Sequence, residues 1–452
     1  MKRLLRVARR ACGSLEVAAA LTLDQALAPP WLPRRRSEAL RDHRVRLVVA
    51  YAVRHVPYYR ALFERQGISP ADINGAADLA RLPLLDREVV RVHPERFVAD
   101  TAAGRRALDF YTSGSTGTPL RVYHDQASLL RNIAYGERER AAIIEVCGTG
   151  FRPKELYVGG QVSTFRQVIA FYEDNVLLPT KPRRVWMSVA RPIEEVIAAC
   201  NRERPDVLVG YGGWIALFFR IIEARGLRVQ LPKMVMYMAE AMPPGAREHI
   251  EGRFGVPVLS RYSAAEAFKI GYFCARRTGF HLHEDLCHLR IVGPDGATLP
   301  DGERGQIVVS NLVNRASVLL NYPIGDMGAL TTCRCTCGRT TRLLSELEGR
   351  VEDILELPGG RHIHPRAIWQ AVKDDQDLLQ YQLVQREPLR FHFILTTADE
   401  AAFERVLGRA MPQLRALLGP DARVQPIWRS DVVRGGQEKF RAVSSLLPHR
   451  AS

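Results

Sequence analysis

The sequence predicts an α/β protein with a large N-terminal layered domain and a small α+β C-terminal domain. Between residues 107 and 330, short β-branched or aromatic runs alternate with helical stretches, which is typical of α/β layers. A segment rich in strands and turns covers about 288–331. After Gly349 the pattern changes to strand, helix, two strands, helix and strand, the order of a small α+β unit. We therefore predict two domains, 1–349 and 350–452.

Local patterns predict the individual elements. Apolar positions at helical spacing favour helix over 37–65, and the cap signals at Ser69-Pro70 and Asp72 mark short turns after it. Within the middle of the chain, helices are predicted at 214–225 and 243–254. In the C-terminal domain we predict strands at 351–357, 380–385, 389–396 and 423–429, with helices at 364–374 and 400–418.

The composition indicates an ordinary folded protein. The 452 residues are 46% hydrophobic and 25% charged, so disorder is a poor interpretation. The net charge is +15, and 57 of the 64 basic residues are arginine. Because the positive charge is spread along the whole chain, it is weak evidence for nucleic-acid binding and suits an anionic substrate such as a nucleotide, or a loose encounter with an acidic surface.

The basic N-terminus predicts a packed surface helix. No apolar stretch approaches the roughly 20 residues that a transmembrane helix requires. Arg6, Arg9 and Arg10 interrupt the start of the chain, and Glu16 interrupts its apolar run, which disfavours a signal peptide. We expect a cytoplasmic protein, with peripheral membrane contact through this helix as the alternative.

A hydroxyl- and glycine-rich string, Tyr111-Thr-Ser-Gly-Ser-Thr-Gly-Thr-Pro119, is the strongest local motif. Its small residues allow close approach of a ligand to the backbone, and its hydroxyl groups can donate to phosphate oxygens. It is not a Walker loop, because no lysine follows the second glycine. The candidate phosphate-binding residues are Thr112, Ser113, Gly114, Ser115, Thr116 and Gly117.

This string resembles the phosphate loop of the adenylate-forming superfamily, which contains acyl-CoA synthetases and adenylation domains. The stretch VPYYRALFERQGISPADINGAADLARLPLLDRE is similar to the N-terminal region of the phenylacetate–CoA ligase-like family, including its capsule-biosynthesis branch. MAEAMPPGAREHIEGRFGVPVLSRYSAAEA resembles that family's nucleotide-pocket segment, and the resemblance runs from about 46 to 443. It implies activation of a small carboxylate by ATP and Mg²⁺ to an acyl-adenylate, release of pyrophosphate, and acyl transfer to the thiol of coenzyme A.

The resemblance also assigns nucleotide-site residues. Glu240 matches a position along the adenine, Tyr262 the aromatic ring that stacks on adenine, and Glu266 the carboxylate that holds Mg²⁺. Asp326 matches the aspartate that accepts hydrogen bonds from ribose hydroxyls. Ala265 departs from the family pattern, which usually has Thr or Ser before the glutamate, so one hydroxyl contact is missing.

Three further residues match positions at the domain junction and in the C-terminal domain. Arg350 matches the arginine that contacts the nucleotide between domains, and Glu352 occupies the hinge position, where the family more often has Asp or Lys. Lys439 matches the catalytic lysine of a mobile small domain, whose point charge stabilises negative charge as the carboxylate attacks the α-phosphate.

A cysteine cluster, Cys333-Arg-Cys335-Thr-Cys337, predicts a metal site, because soft thiolates suit Zn²⁺. The string Cys335-Thr-Cys337-Gly-Arg-Thr resembles the zinc-bearing segment of some phenylacetate–CoA ligase relatives, which also place a cysteine and a histidine upstream. We therefore predict a structural Zn²⁺ on Cys274, His281, Cys335 and Cys337. Cys333, His283 and Cys287 are the substitutes.

Other interpretations of the chain stay open. The adenylate could be transferred to a carrier thiol, an amine or a hydroxyl in a cofactor or polysaccharide pathway. A third interpretation is a catalytically degenerate, zinc-stabilised basic binding protein, which Ala265 and Glu352 favour. Tyr157, Tyr211 and Trp214 either line an acyl pocket or are core aromatics.

Overall fold

The computed structural model forms two compact units. Unit 1 comprises Met1–Pro153, Gln161–Arg183 and Leu259–Leu347, and unit 2 comprises Lys154–Gly160, Arg184–Val258 and Glu348–Ser452. The structure describes all residues except 1, 23–25, 106, 112–119, 149–151, 161–162, 178–181, 243–244, 332, 351–354, 360, 364–366, 369–370, 373–374, 376, 431–440 and 448–452. Because the units combine separate stretches of chain, the linear division at residue 350 stays a prediction.

Most of the helices of unit 1 lie in the first half of the chain. They are α1 (Lys2–Thr22), α2 (Arg34–His55), α3 (Pro57–Gln66), α4 (Arg87–Val92), α5 (Ala102–Arg105), α6 (Gln126–Cys147) and α7 (Thr164–Asn175). The predicted helical region 37–65 is divided between α2 and α3, because Pro57 begins a new helix and holds Val56 in an extended conformation. Asp125 caps α6 by accepting a hydrogen bond from the backbone N–H of Ser128 at 2.7 Å.

The N-terminal helix α1 packs within unit 1, as predicted for a surface helix. Val17 and Ala20 are buried in a cluster with Ile133 and Tyr135 of α6. Arg131 of α6 also forms an ion pair with Glu16. No helix among the described residues is long and apolar enough to cross a membrane.

The strands of unit 1 are largely antiparallel. β1 (Leu108–Tyr111) pairs with β2 (Arg121–His124), so the predicted phosphate loop connects two paired strands. The other strands lie in the order β10-β11-β12-β13-β9-β8-β7. They are β7 (Val258–Tyr262), β8 (Gly271–Phe273), β9 (Phe280–Leu282), β10 (Cys287–Val292), β11 (Gly305–Asn311), β12 (Tyr322–Thr331) and β13 (Leu343–Arg350).

One part of unit 2 is a parallel α/β layer. Its strands lie in the order β6-β5-β3-β4, with β3 parallel to β5 and β5 parallel to β6. They are β3 (Lys154–Gly159), β4 (Arg183–Ser188), β5 (Val207–Gly210) and β6 (Met234–Tyr237), accompanied by α8 (Ile193–Glu203), α9 (Gly212–Ala224) and α10 (Ala246–Phe254). Phe218 and Phe219 of α9 are fully buried against Leu208 and Val235 of the strands. The helices α9 and α10 confirm the predictions at 214–225 and 243–254 to within three residues.

The C-terminal part of unit 2 has its own core and a mixed sheet in the order β18-β17-β16-β19. Its elements are β14 (Leu355–Leu357), β15 (Arg361–Ile363), β16 (Leu378–Glu387), β17 (Arg390–Thr397), the helix Glu400–Leu418, β18 (Arg423–Arg429) and β19 (Val443–Ser445). Phe391 and Phe393 of β17 pack against Val406 and Leu414 of the helix. These elements confirm the predicted strands and helix between 378 and 429, whereas most of the predicted helix 364–374 lies outside the described residues.

Candidate nucleotide and metal sites

Two of the predicted nucleotide-site residues lie at the connection between β7 and β8, residues 263–270. Tyr262 ends β7, and Glu266 lies four residues later. The connection closes on itself, because the N–H of Ile270 donates to the carbonyl of Tyr262 at 3.1 Å and the N–H of Phe268 donates to that of Ala264 at 2.6 Å. Phe268 is held at a φ of +55°, in the left-handed region that non-glycine residues seldom adopt.

Tyr262 and Asp326 are joined directly. The Tyr262 hydroxyl donates to Oδ2 of Asp326 at 2.8 Å. Burial of the ring, the nearby Asp326 carboxylate and the hydrogen bond all raise the pKa of Tyr262 well above its usual value, so the phenol stays protonated. The structure therefore brings the predicted adenine and ribose residues into contact within unit 1.

Gly325 allows β12 to approach a neighbouring side chain. Its φ is +88°, and a Cβ at this position would lie 2.7 Å from Nη1 of Arg87. Any larger residue would be strained at this φ and would also displace the Arg87 guanidinium beside Asp326. This is the physical reason for glycine in the Tyr-Pro-Ile-Gly-Asp string.

The backbone around Glu266 is anchored by side chains from two other elements of unit 1. Nε2 of His124, at the end of β2, donates to the carbonyl of Ala265 at 2.7 Å, and Nδ2 of Asn311 donates to the carbonyl of Glu266 at 3.0 Å. Burial lowers the pKa of His124 to about 4, so the ring is neutral at pH 7 and its Nε2 carries the proton. Glu266 itself is buried, and its charge contributes to the raised pKa of Tyr262.

Glu240 lies in unit 2, shortly after β6. It follows Ala239, whose φ of +64° bends the chain away from the strand. Burial raises the pKa of Tyr211, and the Glu240 carboxylate adds to that shift. The Tyr211 hydroxyl accepts from the backbone N–H of Gly160 at 3.0 Å, whereas Trp214 stacks on Phe218 in the core. Trp214 therefore packs as a core residue, and Tyr157 is buried as well.

Several predicted site residues cannot be placed. The phosphate-loop residues Thr112, Ser113, Gly114, Ser115, Thr116 and Gly117, the hinge residue Glu352 and the lysine Lys439 lie outside the described residues. Arg350 ends β13, and its side chain also lies outside the described part. Their roles stay predictions.

Cys274, His281, Cys335 and Cys337 are brought together in unit 1, with their ligand atoms all within 4.8 Å of one another. The sulfur atoms of Cys274 and Cys335 are 3.6 Å apart, and Nε2 of His281 is 3.3 Å from the sulfur of Cys337. Thiolate ligands about 2.3 Å from a tetrahedral Zn²⁺ lie roughly 3.8 Å apart. Three sulfur atoms and one nitrogen therefore form a donor set of the right size and chemistry for Zn²⁺.

Surrounding groups orient these ligands. Nδ1 of His281 lies 3.1 Å from the Thr341 hydroxyl, which leaves Nε2 to face the sulfur atoms. Burial lowers the pKa of His281 to about 4, so the ring is in the neutral, metal-binding form. The Thr278 hydroxyl donates to the sulfur of Cys335 at 3.3 Å, and the N–H of Arg339 donates to that of Cys337 at 3.5 Å.

The substitute ligands occupy other environments. Cys333 is exposed. Nε2 of His283 lies 3.4 Å from Glu139, and the Cys287 sulfur lies near the backbone carbonyl of Lys269. Among the described residues, the first-choice set of ligands is thus the one whose donor atoms converge.

Sequence reasoning missed the residues that hold the 263–270 connection. His124 and Asn311 act on backbone carbonyls, and Glu139 faces residues on either side of the connection. In the sequence Glu139 lies in Gly-Glu-Arg-Glu-Arg, a pattern typical of a solvated helix face. The only signal that could have found it is the pairing of sequence-distant charges, which requires the fold.

The chain is similar in sequence to curated coenzyme A ligases. No family model matches the chain. It is 28% identical over 340 residues to a phenylacetate-coenzyme A ligase of Thermus thermophilus, with 73% of each chain covered. It is 24% identical over 428 residues to that of Pseudomonas putida, covering 89% of this chain and 93% of the relative. The chain is therefore similar to phenylacetate-coenzyme A ligases over most of its length.

Solved structures of coenzyme A ligases have the same fold as this chain. A 2-hydroxyisobutyryl-CoA ligase in the postadenylation state, in complex with R3-HIB-AMP, superposes with a TM-score of 0.72 at 20% identity, covering 92% of this chain and 91% of that one. An anthranilate CoA ligase in complex with anthranoyl-AMP has a TM-score of 0.52 at 13% identity, covering 76% and 67%. The predicted adenylate-forming α/β fold is confirmed.

Changing Cys335 and Cys337 together to serine should remove the metal. We expect about one Zn²⁺ per parental chain, and the double variant should lose it and melt roughly 5 °C lower or more, because metal binding contributes to folding free energy. Elemental analysis and thermal melting measure both effects. Cys333→Ser, which removes an exposed neighbouring thiol, is the control and should keep the metal. A metal-free parent, or equal melting of parent and double variant, would contradict the assignment.

Proposed function

We propose that the chain is an AMP-forming ligase that activates a small carboxylic acid with ATP. In the first half-reaction the carboxylate oxygen attacks the α-phosphorus, and the bond to pyrophosphate breaks. In the second half-reaction a thiolate attacks the acyl carbon and AMP leaves. The observation that carries the proposal is the Tyr262–Asp326 hydrogen bond, which joins two predicted nucleotide-site residues in a chain whose curated relatives are named coenzyme A ligases.

The nucleotide would be bound by separate groups with distinct tasks. Tyr262 offers a ring to the adenine, and the second oxygen of Asp326 can accept from a ribose hydroxyl while the first accepts from Tyr262. Glu266 supplies the oxygen ligand that Mg²⁺ prefers, and residues 112–117 donate to phosphate oxygens. Glu240 would lie along the adenine.

Lys439 and Arg350 would act on the phosphate region from residues 350–452, a small mobile domain. A lysine at the α-phosphate stabilises the negative charge that develops as the carboxylate attacks. Arg350, with Glu352 at the hinge, would contact nucleotide as the small domain turns between the two half-reactions.

Coenzyme A is the proposed thiol acceptor, and a carrier-protein thiol is the alternative. Zn²⁺ bound by four protein ligands leaves no open position, so its role would be to stabilise the loop that contains Cys335 and Cys337. A cytoplasmic location fits this chemistry, because the reaction requires ATP and a reduced thiol, and both are available in the cytoplasm.

The proposal is tested by ATP–pyrophosphate exchange. We expect exchange that requires both Mg²⁺ and a carboxylic acid from a panel of aromatic, branched and fatty acids. Addition of coenzyme A should then convert the bound adenylate to a thioester and free AMP. A metal-replete protein that supports no exchange with any acid would overturn the ligase proposal, and salt-sensitive nucleic-acid binding without ATP turnover would favour the degenerate binding protein instead.

Lys439→Ala should separate the half-reactions. Loss of one preorganised charge should slow adenylation by roughly 10²–10³-fold. Thioester formation from supplied acyl-adenylate should change little, because the lysine would by then have moved away. Rapid-quench measurement of both steps on one preparation checks this. Equal losses in the two steps would assign Lys439 a structural role.

Tyr262→Phe should weaken ATP binding while keeping the adenine-stacking ring. Loss of the hydrogen bond to Asp326 should raise the KM for ATP by about 5–10-fold, the effect of roughly 1 kcal/mol or slightly more. Steady-state kinetics of exchange measure the change. The control is Tyr59→Phe, which also removes a buried hydroxyl, here one bound to the Val318 carbonyl at 3.2 Å. An equal rise in KM in both variants would show that general stability causes the effect.

A further inference from the structure

Glu139 of α6 is a buried carboxylate surrounded by three basic side chains. It is only 4% exposed. Its Oε1 accepts from Nζ of Lys269 at 3.1 Å and lies 3.4 Å from Nε2 of His283, and its Oε2 lies 3.1 Å from Nε of Arg261. Burial alone would raise the pKa of Glu139, but the charges of Lys269 and Arg261 lower it overall, so the group is ionised.

Two of these partners lie at the ends of the connection that would bind nucleotide and Mg²⁺, one just before it and one near its last residue. Arg261 immediately precedes Tyr262 in β7, and Lys269 is the next-to-last residue of the 263–270 connection. One carboxylate therefore holds both ends of the segment that contains Glu266. Because adjacent strand residues face opposite sides of a sheet, an anchor on Arg261 leaves the Tyr262 ring on the other face.

A backbone hydrogen bond also joins the two ends of the connection, from the N–H of Ile270 to the carbonyl of Tyr262 at 3.1 Å, but it does not hold the side chains of Arg261 and Lys269. His124 and Asn311 bind the carbonyls of Ala265 and Glu266, which fixes the middle of the connection. Without the carboxylate, Arg261, Lys269 and His283 would be three basic groups around one buried position, and the two cations among them would repel each other. This repulsion would act against the Ile270–Tyr262 backbone hydrogen bond, which joins the ends of the connection.

We propose that Glu139 is a positioning residue that fixes the geometry of Tyr262 and Glu266 by holding Arg261 and Lys269 together. The inference rests on the proposed function for the identity of the bound groups, ATP and Mg²⁺. It assigns a role in the reaction to a helix residue that touches neither of them.

The test is Glu139→Gln in the full-length, metal-replete protein. The concentration of Mg²⁺ that gives half-maximal ATP–pyrophosphate exchange should rise by about 10–100-fold, the usual effect of removing a residue that orients a metal ligand. Hydrogen–deuterium exchange of amides in peptides covering 263–270 should speed up by roughly tenfold or more. The second measurement requires no substrate.

Asp285→Asn is the matched control. Asp285 is also a buried carboxylate held by α6, since it accepts from Nη1 and Nη2 of Arg138 at 2.7 and 2.8 Å. It makes no contact with Arg261 or Lys269 among the described interactions. This variant should lose stability yet keep the parental Mg²⁺ requirement and the parental amide exchange in 263–270.

Charge repulsion could unfold Glu139→Gln, so the double variant Glu139→Gln/Lys269→Met removes one cation as well. It should fold and still show the raised Mg²⁺ requirement and faster amide exchange. Parental values of both quantities in whichever of these variants folds, or equal shifts in Asp285→Asn, would overturn the proposal. A parental protein without ATP–pyrophosphate exchange activity would count against the proposed function. The rate of amide hydrogen exchange in 263–270 would then test the role of Glu139 by itself.

Discussion

Burial of charge is the constraint on which unit 1 depends. Glu139 and Asp285 lie in its interior, and each is paired with basic side chains that are themselves largely withdrawn from water. A buried ion pair seldom stabilises a fold more than apolar packing would, but loss of one partner costs about 3–5 kcal/mol. Such pairs therefore penalise any arrangement that separates α6 from β7, from the 263–270 connection and from Asp285. These ion pairs hold the ends of the 263–270 connection, whose backbone is mostly irregular.

The cysteine loop that follows β12 also links separate parts of unit 1. The Arg339 guanidinium lies 4.8 Å from the ring centre of Trp31, and the Thr340 hydroxyl donates to the Leu32 carbonyl at 2.6 Å. The loop thus packs on the segment between α1 and α2, while the Cys274 side chain reaches it from the chain after β8. Ligands separated by some sixty residues would be held by one ion, which is how a small metal site can stabilise a large, antiparallel layer.

Local chemistry made much of this predictable. Alternating apolar runs predicted the α/β layers, and the closely spaced cysteines predicted a metal site. The choice of Cys274 and His281 as its other two ligands was implied by the family resemblance, and the donor atoms of these four residues do converge. The Tyr262–Asp326 contact was implied only by family resemblance, because 64 positions separate the two residues. The role of Glu139 was not predictable, since a helix-borne glutamate among arginines normally faces solvent. Short elements such as β15 and β19 were also missed, because three residues carry too little periodicity to detect.

The hydrogen bonds from His124 and Asn311 to the 263–270 connection have a consequence for substitutions there. Both side chains bind main-chain carbonyls, which every amino acid possesses. The path of the chain at residues 265 and 266 is consequently insensitive to which side chains are attached there. A substitution at residue 265 can therefore change the side chain presented there without changing where the main chain places residue 266.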